Sequence, residues 1–389
     1  MKNYKQLIEE NKSWAQETFD KINEKMGKIT IRSREKLADG VDANGVHLSR
    51  PANAWTAGFW GALNYMLYAY TKDEEYLTTA KRQEVLMDEG LKNFTKLHHD
   101  VGFQWHILSA AGYRLTGDEN SKTRALFAAA SLSSRFVMTP EGGYIRAWND
   151  KFAGNVVDDW SIIDCLMNLP LLYWASDVIG DDRFKQVAML HADMSLIDHL
   201  REDGSIVHIV EHDRESGLKR CEYGGQGIGV GSCWSRGQAW GLYGFTLSYI
   251  HTGAEEYLSA AKQIANYFIS NCCDDWLPRV DFRAPSEPVY YDSTAGAIAA
   301  CGMLELAKLL PENEGGMYAN AAINILKAMT EKFADFNTEV DNMLGYGTMR
   351  YPAPGVAFEK AGIHMSIIYG DYFYTEAILK LLGSDFLPW

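Results

Sequence analysis

Two kinds of segment alternate along the chain. The first is bulky and nearly uncharged, as in Phe59–Tyr70, Phe103–Leu115, Asp164–Ala175, Gln238–Ile250 and Ala295–Leu310. The second spaces its apolar residues helically and keeps its charges on one face, as in Glu75–Asn93 and Glu255–Ile269. A helix apolar all round is buried, and one with a polar stripe faces solvent. Each pair therefore predicts an inner helix followed by an outer one. A short acidic turn separates its members: Thr71-Lys72-Asp73-Glu74, Thr116-Gly117-Asp118-Glu119, Ile179-Gly180-Asp181-Asp182 and Thr252-Gly253-Ala254-Glu255. Looser forms are Leu310-Pro311-Glu312 and Gly383-Ser384-Asp385. Glycine there suits a left-handed helix end, and acids suit the next N-terminus. About six such units predict an all-α fold, an (α/α)6 barrel. No Pro/Gly/Ser-rich linker interrupts them, so a single domain over 1–389 is expected, with an N-terminal helix over 4–26 packed on it. Strand signals are sparse, apart from short hairpins expected near 205–223 and 278–291.

The predicted layout has a functional consequence. If outer helices return the chain, inner helices run parallel and their N-termini gather at one mouth. The segments leading there include Trp55-Thr56-Ala57-Gly58-Phe59-Trp60, His98-His99-Asp100, Asp158-Asp159-Trp160-Ser161, Ser232-Cys233-Trp234-Ser235-Arg236, Tyr291-Asp292-Ser293 and Tyr369-Gly370-Asp371. All are rich in Trp, Tyr, Asp, Ser or Arg. Composition agrees with this picture: 11 Trp, 21 Tyr and 16 Phe suit a cleft that stacks on sugar rings. Helix N-termini favour an anionic ligand group.

Other classes are excluded or disfavoured. The net charge is −14, from 37 basic and 51 acidic residues, and no basic cluster serves nucleic acid or an acidic membrane. No apolar run reaches the roughly 18 residues of a membrane span. The six Cys, at 165, 221, 233, 272, 273 and 301, contain no C-x-x-C pair and read as reduced and mostly core filler. Met1-Lys2-Asn3-Tyr4 leads into a charged amphipathic helix without an apolar leader core, so a cytoplasmic protein, monomeric or weakly homo-oligomeric, is expected. The Gly-rich run Gly224–Gly231 lacks the G-K-[ST] of a phosphate loop and reads as a loop over the mouth.

Several residues could carry chemistry. Asp100 and Asp164 enter the mouth, as helix cap and capping-box acid or as the paired carboxylates that acid–base work on a sugar needs. Asp158 and Asp159 are rivals. Adjacent histidines such as His98 and His99 rarely share one metal, so no metal site is expected, and a hydrogen-bonding or stacking role suits one of them better. Arg236 is either a structural ion-pair partner or a clamp for a ligand carboxylate. His208 looks like a strand residue. Ser232 stands in a mouth segment.

Five stretches are more specific: His99-Asp100-Val101-Gly102-Phe103, Ile163-Asp164-Cys165-Leu166-Met167-Asn168-Leu169-Pro170, Trp234-Ser235-Arg236-Gly237-Gln238-Ala239-Trp240-Gly241, Asp292-Ser293-Thr294-Ala295-Gly296 and Tyr369-Gly370-Asp371-Tyr372-Phe373. They resemble the unsaturated glucuronyl hydrolases of glycoside hydrolase family 88, from about residue 50 to 382. The resemblance implies an (α/α)6 barrel, no metal or organic cofactor, and substrates left by polysaccharide lyases. These are disaccharides and short oligosaccharides with a 4,5-unsaturated uronic acid at the non-reducing end, here of chondroitin or hyaluronan type. It maps two central aspartates onto Asp100 and Asp164. The pocket residues fall onto His208, Gln226, Arg236, Trp148, Trp240 and Trp60, with Trp55 competing for the last role. One departure concerns sulfate: a Ser-x-x-Ser-x-Lys arrangement of some members is absent from Pro354-Gly355-Val356-Ala357-Phe358-Glu359-Lys360.

The resemblance also implies a chemistry. Asp164 protonates C4 of the vinyl ether, water adds at C5, and the hemiketal opens to release the downstream sugar. Asp100 positions the ring. Other readings are an unsaturated rhamnogalacturonyl hydrolase, a conventional glycosidase attacking C1, an epimerase relying on histidine pairs, and a non-catalytic glycan-binding protein.

Overall fold

The computed structural model describes residues 2–149, 157–272, 275–352 and 362–389. Cys273 and the Pro354–Lys360 segment lie outside the described residues. The inner ring is built from α2 (Phe59–Thr71), α4 and α5 (Val101–Trp105 and Ala111–Thr116), α7 (Pro170–Ile179), α9 (Ser235–Thr252), α11 (Ser293–Leu309) and α13 (Ile368–Leu381). The outer ring is α3 (Glu74–Leu91), α6 (Glu119–Ser133), α8 (Arg183–Asp198), α10 (Glu255–Asn271), α12 (Glu312–Phe333) and α1 (Tyr4–Arg32). Successive inner and outer helices form an (α/α)6 barrel, closed where α13 packs on α2.

The acidic turns work as their residues suggest. Lys72, Gly117, Gly180 and Gly253 end inner helices in the left-handed region, and each donates its N–H back to a carbonyl of the last turn. Asp73 and Asp118 then cap the next helix, accepting from Glu75 and Asn120 N–H. The inner helices α9 and α11 are buried on every side over most of their length, whereas α10 buries one stripe: Tyr257, Ala260, Ala261, Ile264, Ala265 and Phe268.

Three expectations are revised. The N-terminal helix runs to Arg32, because Ile22, Met26 and Ile29 prolong its buried stripe. It packs against α12, α13 and α3, and so is the sixth outer helix rather than an addition. The helices expected from Phe103 and from Asp164 are both broken. A π-helical turn, His106–Ala110, separates α4 from α5, and a 3-10 turn, Ile163–Asn168, precedes α7. Pro170 sits in the first turn of α7 and fixes its start. The expected hairpin near 205–223 is present as β6 (Ile209–His212) and β7 (Lys219–Tyr223), joined antiparallel to β5 (Trp160–Ile162). The one near 278–291 is reduced to the isolated bridge Arg279–Tyr291. Hairpins β1–β2 (Ala38–Val41, His47–Ser49) and β3–β4 (Phe136–Thr139, Gly142–Ile145) were not legible in the pattern.

Inner-helix N-termini do converge. Trp55, before α2, packs on Phe103 of α4 and on Tyr369 of α13. Tyr369 in turn faces the Arg236 guanidinium at the start of α9.

Candidate active site

Asp164 stands on the 3-10 turn that follows β5. Pairing of β5 with β6 continues one residue further, where Ile163 N–H donates to His208 O at 3.1 Å. That register brings His208 Nε2 to 3.5 Å from Asp164 Oδ2. Gln226 N–H donates to His208 Nδ1 at 3.0 Å, so Nδ1 is an acceptor and Nε2 carries the proton facing the carboxylate. The imidazole leans on Trp234, with ring centroids 4.3 Å apart. Neither Asp164 Oδ2 nor His208 Nε2 has a hydrogen-bond partner within the chain, though both are buried atoms. The Asp164 side chain keeps 15% of its surface exposed. A polar pair left this way is poised toward something that enters from outside.

Asp100 sits at the head of α4. His99 Nε2 lies 3.1 Å from Asp100 Oδ1, and His98 Nδ1 lies 3.3 Å from Oδ2. His99 Nδ1 donates to Ala147 O at 2.6 Å, which aims Nε2 at the carboxylate. Burial would raise the Asp100 pKa, but the facing His99 outweighs it and leaves the group below the usual carboxylate value. For His99, burial opposes the charge, yet Asp100 wins and the pKa rises. His98, with burial dominant, is pushed down to about 4.

The two aspartates are coupled through Asn168, which sequence reasoning missed. Its Nδ2 donates to Asp164 O at 3.1 Å, and its Oδ1 accepts from Phe103 N–H at 2.8 Å. The contact needs Gly102: a Cβ there would lie 2.6 Å from Asn168 Cα. The available signal was an uncharged polar residue in an otherwise apolar inner segment.

The remaining predicted residues fall into two groups. Trp148 is half-buried beside His99, ring centroids 5.4 Å apart and edge-on, and Gln226 is half-buried on the loop beyond β7. Both belong to the same neighbourhood as the aspartates. Ser232 is buried, its carbonyl accepting from Arg201 Nη1 at 3.1 Å. Trp60 and Trp240 are wholly buried, against His47 and between Phe103 and Phe373 respectively. Their rings pack in the core, and the half-buried Trp55 stands just before α2. Asp158 and Asp159 are engaged by Arg146 and Arg214, each at 2.8 Å.

Arg236, read from sequence as either an ion-pair partner or a carboxylate clamp, is engaged by partners within the chain. Its Nη1 donates to Asp292 Oδ2 at 2.6 Å, to Thr294 Oγ1 at 3.1 Å and to Thr348 O at 2.8 Å. Its Nη2 donates to Met349 O at 2.8 Å, and Trp234 stacks on the guanidinium at 4.4 Å. Burial disfavours its charge, but Asp292 more than restores it and the pKa is raised. These partners make it the buried anchor of the 348–349 loop. Asp292 was missed as its partner, although its place before Ser293-Thr294 marks it as the cap of α11.

Among the described residues, the cluster whose ligand atoms would suit a metal is His98, His99 and Asp100, all within 4.8 Å. No helix there is long and apolar enough to cross a membrane.

A six-hairpin helical barrel with two carboxylates and histidines at its mouth defines a carbohydrate-active enzyme. The pattern of Glycosyl Hydrolase Family 88 matches residues 24–274. An unsaturated glucuronyl hydrolase of Bacillus sp. strain GL1 is 36% identical over 379 residues, covering 95% of this chain and 96% of that one. An unsaturated chondroitin disaccharide hydrolase of Streptococcus pneumoniae is 32% identical over 86% of this chain and 83% of its own length. The crystal structure of the unsaturated glucuronyl hydrolase responsible for glycosaminoglycan degradation in Bacillus sp. GL1 superposes with a TM-score of 0.84, at 32% identity, covering 93% and 96% of the two chains. The chain belongs to glycoside hydrolase family 88 and is a glycoside hydrolase.

Proposed function

We propose that the protein is an unsaturated glucuronyl hydrolase. It removes the 4,5-unsaturated uronic acid from chondroitin- or hyaluronan-type disaccharides and oligosaccharides made by lyases. The observation that carries this reading is the Asp164 carboxyl oxygen: buried, without a partner in the chain, and facing His208 Nε2 beside the Asp100 pocket. Asp164 gives its proton to C4 of the vinyl ether. Water adds at C5 and returns a proton to Asp164, so the residue ends as it began. The C5 hemiketal then opens, and the C–O bond to the downstream sugar's oxygen breaks. Asp100, held ionised by His99, accepts hydrogen bonds from ring hydroxyls. Trp148 and Trp55, both half-buried, offer aromatic faces to the sugar. Cys165, Cys233 and Cys301 are buried free thiols, which fits a reducing cytoplasm.

The test is turnover of unsaturated chondroitin, hyaluronan and heparin disaccharides, followed by loss of the enoate's ultraviolet absorbance. In heavy water, deuterium is expected at C4, and ¹⁸O from labelled water at C5. Efficient cleavage of a saturated glucuronide, or label at C1, would overturn the hydration chemistry and leave a conventional glycosidase.

A further inference from the structure

Consecutive side chains diverge in a strand or a helix, and for that reason the pair His98-His99 argued against a shared ion. The backbone is neither there. Residues 99 and 100 form a turn, and Asp100, at φ −82° and ψ 10°, starts α4. The turn folds three donor atoms together: Nδ1 of His98, Nε2 of His99 and the Asp100 carboxylate. Their nitrogen–oxygen separations are 3.3 and 3.1 Å. Donors about 2.0–2.2 Å from a tetrahedral ion lie at about that spacing from one another. His99 is also supported in the manner of a metal ligand. Its far nitrogen donates to the Ala147 carbonyl at 2.6 Å, fixing ring and tautomer. The His98 and Asp100 side chains keep 22% and 10% of their surface, so the cluster is reachable by an ion from solvent.

We propose that His98, His99 and Asp100 form an inhibitory site for a divalent transition ion such as Zn²⁺, which occupies Asp100 in competition with substrate. Two imidazoles and one carboxylate select Zn²⁺, Co²⁺, Ni²⁺ or Cu²⁺ over Mg²⁺ and Ca²⁺. The ion would take Asp100 away from the sugar, so it is an inhibitor and not a cofactor.

Co²⁺ is the probe for binding. Titrating the full chain with Co²⁺ is expected to give the visible d–d bands of a low-coordinate N/O site, saturating at one ion per chain. His98→Gln is expected to weaken the titration by at least about tenfold, since even an outer-shell partner is worth about 10–100-fold in metal affinity. This readout stands whether or not an unsaturated uronide is the substrate. In the activity assay, Zn²⁺ is expected to raise KM with little change in kcat, with reversal by EDTA and no effect of Mg²⁺. A Co²⁺ spectrum unchanged in His98→Gln, absence of a stoichiometric spectrum, or Zn²⁺ inhibition that substrate does not relieve would each overturn the proposal. Should His98→Gln fold poorly, suppression of the Co²⁺ spectrum of the unaltered protein by a saturating disaccharide decides. No suppression overturns it.

Discussion

Asp164 and Asp100 share a pocket but not an environment. Asp164 faces one imidazole N–H at 3.5 Å, whereas Asp100 is flanked by two histidines. Asp164→Asn should fold normally and lose at least about 10³-fold in kcat, near the upper range for one acid–base group. An amide cannot give up the proton, and activity within tenfold of the parent would reassign the role. Asp100→Asn should be severely impaired while still binding disaccharide by calorimetry, because positioning goes and proton supply stays. Arg236 tests the other assignment. Removing it as Arg236→Met leaves Asp292 buried and unpaired, which should cost about 3–5 kcal/mol of stability in a denaturant titration. Arg236→Met combined with Asp292→Leu should cost less than that single change. Stability unaffected by Arg236→Met would restore the view of a free clamp.

Between elements, the site depends on how closely α4 approaches the 3-10 turn. Gly102→Ala places a methyl 2.6 Å from backbone of Asn168. The two carboxylates then move apart, and a misplacement of about 1 Å is worth about 10²-fold in rate. We expect that loss in kcat with a modest change in melting temperature; wild-type kcat would mean the elements slide without consequence. This level also marks what the residue pattern could convey. Period and capping chemistry made the inner and outer helices readable, since buried and half-buried helices differ along their own length. The break at His106–Ala110 was unreadable, because nothing local distinguishes it from continuous apolar helix, whereas Pro170 was a local sign that the helix expected from Asp164 starts later. The surroundings of Arg236 and Trp240 were unreadable for a related reason. A side chain's partners across the barrel are long-range facts, and both ion-pair and clamp readings were compatible with its neighbours in sequence.

For the molecule as a whole, acid is the expected weakness. Burial lowers His191 to about 3, and His47, His98, His212 and His251 to about 4, against an ordinary value of 6.5. The unfolded chain binds these protons from pH 6.5 downward and the folded chain refuses them until about pH 4. Their stabilising contribution is therefore complete above 6.5 and lost across that window. Asp371 and Glu84, both raised by burial to about 7, run the opposite way, since the folded chain keeps protons the unfolded one releases. Five histidines outnumber two carboxyls, so the melting temperature should fall between pH 6.5 and 4. A flat or rising profile would contradict these burials.

The loop at 348–349 is held largely through its carbonyls, with the buried Thr348 hydroxyl adding a bond to Tyr291 O. Arg236 grips Thr348 O and Met349 O, and Gln226 Nε2 adds a further donor to Met349 O. Every amino acid supplies the same carbonyl. The side chains of Met349 and Arg350 can therefore change while the attachment through Met349 O stays intact. The loop is a cassette in that sense, and exchanging those two residues should leave the melting temperature nearly unchanged.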